Sequence, residues 1–113
     1  EAAGQFAGGP ASGFAFVDGP LDDGTPLCRR MGPGFVALAF DAPALAARQL
    51  SLPDGPQVEL VPVSAAGPLA SRYDARLGTV YLFRPDGNLL ARWREVDAPA
   101  IQAAVARCCK GGA

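Results

Sequence analysis

Apolar residues in this chain gather into runs that are punctuated by Gly, Pro and Asp. Phe35–Phe40 (FVALAF) is unbroken and predicts a strand buried on both faces. Gln57–Ser64 (QVELVPVS) alternates well enough for a second central strand. Between them, Asp41 is placed to cap a helix, with Pro43 tolerated in its first turn. That helix carries Leu45, Arg48, Gln49 and Leu50 and stops before Pro53-Asp54-Gly55. Strand, helix and strand in this order favour a right-handed parallel crossover.

The clearest pattern is TVYLFRPDGNLLARWR, in which two apolar runs flank Pro85-Asp86-Gly87. Proline presets φ at the first turn corner, Asp suits the second, and Gly accepts positive φ, so the stretch predicts a β-hairpin. After it, Asp97 caps a helix on which Ile101, Ala104, Val105 and Cys108 recur at helical spacing, ending at Gly111-Gly112. Pro68–Ala75 predicts a short helix, LCRRMGPG a helical turn, and Phe14–Val17 a short strand. The Gly/Ala-rich residues 1–13 have linker composition, 14–110 make one domain, and 111–113 a tail. The sum is an α/β domain: a central mixed sheet with helices on both faces, closed by the hairpin and a terminal helix.

Composition narrows the chemistry. A length of 113 residues, 50% of them hydrophobic, suits one folded domain with a modest core. The formal charge of −1 argues against nucleic acid and anionic membrane as partners. There is no His, which removes the usual general base and the commonest metal ligand. Three cysteines, Cys28, Cys108 and Cys109, form neither a CxxC pair nor a metal-spaced cluster, and read as reduced thiols in cytoplasm. No apolar run approaches the ~20 residues that span a bilayer. The first residues have no signal-peptide pattern, and the absence of an initial Met agrees with a piece of a longer chain.

The element order is that of thioredoxin. More specifically, Arg72-Tyr73-Asp74, Gly78-Thr79-Val80-Tyr81-Leu82, Arg84-Pro85-Asp86-Gly87 and Ala91-Arg92-Trp93-Arg94 together resemble one family. They are similar to the C-terminal domain of FAD-dependent aromatic-ring monooxygenases of the phenol hydroxylase and 3-(3-hydroxyphenyl)propionate hydroxylase class. The similar region covers residues 14 to 108. The resemblance implies a thioredoxin-like fold without redox cysteines, used for packing or subunit association, with a homodimer as one form. It also implies that FAD, NAD(P)H and the aromatic substrate belong to preceding domains of the same chain. No GxGxxG turn opens a helix here, so the segment lacks the usual dinucleotide-binding route.

On the thioredoxin pattern, Asp41-Ala42-Pro43-Ala44 falls where Cys-Gly-Pro-Cys would stand. Disulfide exchange needs an attacking thiolate and a resolving thiol, and this junction has neither. Anchoring the peroxiredoxin pattern on Pro43 puts Ala47 and Leu50 in its Thr and Cys places, and Gly78 takes the place of the cis-proline. The sequence therefore assigns no catalytic, cofactor-binding or metal-binding residue. Two groups remain as candidates. Tyr81, Arg84, Arg92, Trp93 and Arg94 are a candidate interface, because Arg and aromatics bury area and still offer hydrogen bonds. Cys28, followed by Arg29 and Arg30, is a candidate reactive thiol if those cations sit close to it. The expected role is a redox-inactive scaffold domain of a flavin hydroxylase. The alternatives are a free-standing thioredoxin-like binding module or a thiol redox protein using Cys28.

Overall fold

The FVALAF run is the centre of the fold. The structure, a computed structural model, describes residues 13–31, 34–42, 49–50 and 58–111. β1 (Phe35–Phe40) is buried at all six positions, as a strand flanked by neighbours and covered on both sides must be. It pairs in parallel with β3 (Val58–Val63) and antiparallel with β4 (Val80–Phe83). β4 turns back into β5 (Leu89–Trp93), and β2 (Gln49–Leu50) pairs antiparallel with β3. The mixed open sheet thus runs β2-β3-β1-β4-β5. Two α-helices are described, α1 (Pro68–Arg72) and α2 (Ala98–Gly111), with a short 3-10 turn at Leu27–Arg30.

Side chains alternate along a strand, so β1 divides its residues between two cores. Val36, Leu38 and Phe40 join Val61, Val63, Tyr81 and Phe83 of the sheet with Leu69 and Tyr73 from the α1 region and Leu21 and Leu27 from the preceding loop. Phe35, Ala37 and Ala39 join Val58, Leu60, Val80 and Leu82 with Ile101, Ala104 and Val105 of α2. Each large apolar side chain buried this way contributes roughly 1.5–3 kcal/mol. The helix ends follow from local chemistry. The Asp97 carboxylate accepts the Ala100 N–H at 2.9 Å and so caps the first turn of α2. Pro68 stands in the first turn of α1, where a missing N–H costs nothing.

The β1 and β3 strands, the parallel return between them, the hairpin and the Asp97 cap agree with the sequence pattern. Several expectations need correction. Gln49 and Leu50, expected on a helix, form β2 opposite Glu59 and Val58. The edge of β3 offers unpaired backbone groups, and pairing with it outweighs a weak helical spacing. The rest of that expected helix, Leu45 and Arg48 included, and the turn at Pro53-Asp54-Gly55 lie outside the described residues. So do the expected linker, apart from Gly13, and residues 112–113 of the tail. The helix expected over Pro68–Ala75 ends at Arg72. Asp74 takes a left-handed φ of 49° that reverses the chain, while the Ala75 N–H returns to the Ala70 carbonyl at 2.9 Å.

Phe14–Val17, expected as a strand, makes a single bridge, Ala15 opposite Asn88. It nevertheless forms a strap on the hairpin: Gly13 N–H donates to Leu89 O, Leu89 N–H to Phe14 O, and Phe16 N–H to Gly87 O, at 2.7–2.9 Å. The hairpin itself carries a bulge, since Leu82 faces Ala91 and Phe83 faces Leu89, leaving Leu90 extra. Among the described residues, no helix is long and apolar enough to cross a membrane.

Candidate functional site

The end of the sheet where β1 stops holds an open cleft of about 650 Å³. Asp41 and Ala42 line it from β1, Leu77 and Gly78 from the turn before β4, and Glu95, Val96 and Asp97 from the turn between β5 and α2. This is the end of β1, where the redox reading looked for thiols. Its polar groups are largely occupied. Asp41, at a left-handed φ of 47°, sends its own N–H to Val63 O at 2.9 Å, and its carboxylate accepts the Ala65 N–H at 2.7 Å. The carboxylate therefore ties β1 to the loop after β3. Asp97 caps α2. None of the seven lining residues among those described carries a thiol, a hydroxyl or a basic group, so these residues supply neither an attacking nor a resolving group for disulfide exchange. Among the described residues no group of three or more His, Cys, Asp or Glu could hold a metal ion.

The candidate interface residues do not share one surface. Tyr81 is wholly buried, and Arg92, opposite it on β5, is 7% exposed. The Tyr81 ring meets Tyr73 edge-on at 4.8 Å and stacks on Phe83 at 6.3 Å. Its hydroxyl donates to the Tyr73 carbonyl and lies 3.5 Å from Arg92 Nη1. Burial pushes the Tyr81 phenol above its ordinary pKa, while the neighbouring Arg92 acts the other way. Trp93 is half-buried and belongs with the α2-side core. Arg84 pairs with Asp86 within the hairpin turn at 2.6 Å.

Arg94 turns back to the end of α1. Its Nη2 donates to Asp74 Oδ2 at 2.9 Å, and its Nη1 reaches both the Asp74 carbonyl and Thr79 Oγ1. The Tyr73 hydroxyl donates to Val17 O at 2.6 Å and accepts the Val17 N–H at 2.9 Å, which binds the end of the strap to the α1 corner. Burial raises the Tyr73 pKa well above the usual phenol range. Tyr73, Asp74, Thr79, Tyr81 and Arg94 thus converge on one internal knot that joins the end of α1, β4, the end of β5 and the strap.

Cys28 is exposed, and its surroundings oppose reactivity. A hydrogen bond to the Asp18 carboxylate raises its thiol pKa; slight burial and the charge of Asp18 add to this, and only Arg29 among the neighbouring charges opposes it. The same carboxylate accepts the Cys28 N–H at 3.0 Å. The sequence expectation weighed the adjacent arginines and missed Asp18, ten residues earlier, which has the larger effect. Arg30 instead pairs with Glu59 of β3. Cys108 packs at the margin of the α2-side core, as its helical spacing predicts. No protein-family model, no curated protein and no solved structure matches the chain.

Proposed function

We propose that this chain is a redox-inactive, thioredoxin-like scaffold domain, with helices on both faces of its sheet, from a cytoplasmic FAD-dependent aromatic-ring hydroxylase. The observation that carries the reading is the cleft at the end of β1. Asp41 stands at the position of the attacking thiol, and its carboxylate is committed to the Ala65 backbone. The order of β1, a parallel return to β3, α1, the hairpin and α2 supports the thioredoxin-like part. The two cores, one including Leu69 and Tyr73 and the other Ile101 and Val105, support the placing of helices on both faces. The hydroxylase part rests on the resemblance of the motifs from Arg72 to Arg94.

FAD and NAD(P)H would be held by the preceding flavin and substrate domains of the same polypeptide. The residues here do not fit either cofactor, since no glycine-rich turn links a strand to a helix among those described. The domain's contribution is then mechanical: it packs against its neighbours or joins two copies of the parent.

The deciding experiment is the intact mass and flavin absorbance of the native polypeptide that contains this segment. A yellow protein much heavier than 11.6 kDa supports the hydroxylase reading, and a colourless species of that mass overturns it. A second reading, a free-standing binding module, is favoured by the open cleft beside Leu77, which is 74% exposed. Insulin reduction by the purified chain should be absent under both. Turnover there would instead establish a thiol redox protein.

A further inference from the structure

We draw no further inference here: the strongest candidate, the open cleft at the end of β1 with exposed Leu77 and the carboxylates of Asp41, Glu95 and Asp97, carries nothing, because two of those carboxylates already accept backbone N–H groups and nothing in the structure shows what covers it.

Discussion

The cleft before β4 and the buried knot beside it behave differently. At the start of β4, the turn through Leu77 and Gly78 faces an open cleft with an exposed apolar side chain. Three residues on from Gly78, Tyr81 is sealed among Tyr73, Phe40 and Phe83, and its hydroxyl is bonded to a backbone carbonyl. Tyr73, Asp74, Thr79 and Arg94 bond around that buried ring, while Arg84 and Asp86 pair in the hairpin turn. The described lining of the cleft is instead apolar side chains, Gly78 and three carboxylates, two of which accept backbone N–H groups. Aromatic and arginine residues close together in the sequence can thus serve to hold a corner of the fold together.

Substitutions can break this contrast, and the largest effect belongs to the sealed knot. Tyr81→Ala empties a fully buried aromatic site and should cost about 3–5 kcal/mol, a large part of the ~5–15 kcal/mol that stabilises a typical domain. Urea denaturation should show it as a much lower midpoint. Tyr81→Phe keeps the ring and should lose only about 1–2 kcal/mol. If both variants lost equally little, the knot would not be the stabilising region.

Next comes the Arg94–Asp74 pair, whose side chains are 14% and 28% exposed. Arg94→Ala should destabilise by about 1–3 kcal/mol, since it also leaves Asp74 and Thr79 short of a donor. A double-mutant cycle with Asp74→Asn should give a clear coupling energy, and strict additivity would count against the pair. Gly87→Ala is smaller. Gly87 sits at φ 86°, and an added Cβ would lie 3.3 Å from the Phe16 ring. The expected cost is roughly 1–2 kcal/mol, read as a lower thermal midpoint with the fold retained by circular dichroism.

The smallest effect is chemical. A thiol pKa raised by Asp18 means less thiolate at pH 8 and slow alkylation of Cys28. Removing the charge with Asp18→Asn lowers that pKa and should speed iodoacetamide labelling of Cys28 several-fold, with stability nearly unchanged. Peptide mapping of the labelled site separates Cys28 from Cys108 and Cys109. Equal rates in the two proteins would remove Asp18 as the cause.

What could be read in advance depended on how local its cause was. The continuous apolar run made β1 legible, and Pro85-Asp86-Gly87 made the hairpin legible, because each signal lies within the element it forms. Asp97 as a cap belongs to the same class, since its partner Ala100 is three residues away. Gln49 and Leu50 were misread because their state depends on the edge of β3. Asp41 has a partner the sequence does not announce, since its carboxylate accepts the Ala65 N–H, 24 residues on, while the helix it is expected to cap lies outside the described residues. The sequence leaves Tyr81 and Arg92 open between local packing and an interface, and their burial beside Tyr73 depends on residues distant in the chain. The cleft is legible in part: Asp41 and Gly78 fall at the places that face each other on the thioredoxin pattern, whereas Glu95, Val96 and Asp97 come from a separate turn that carries no motif.

The strap has a consequence for tension. Gly13 and Phe14 are bonded to Leu89, and Val17 to Tyr73, so the chain touches the last hairpin before it reaches the central strand. A pull applied through the residues before Gly13 therefore loads the hairpin turn and the α1 corner first. β1, with a strand on either side, is shielded until those bonds yield. Tethered by that end, the domain would meet a load at the hairpin turn and at the Val17–Tyr73 bonds before the sheet itself is strained.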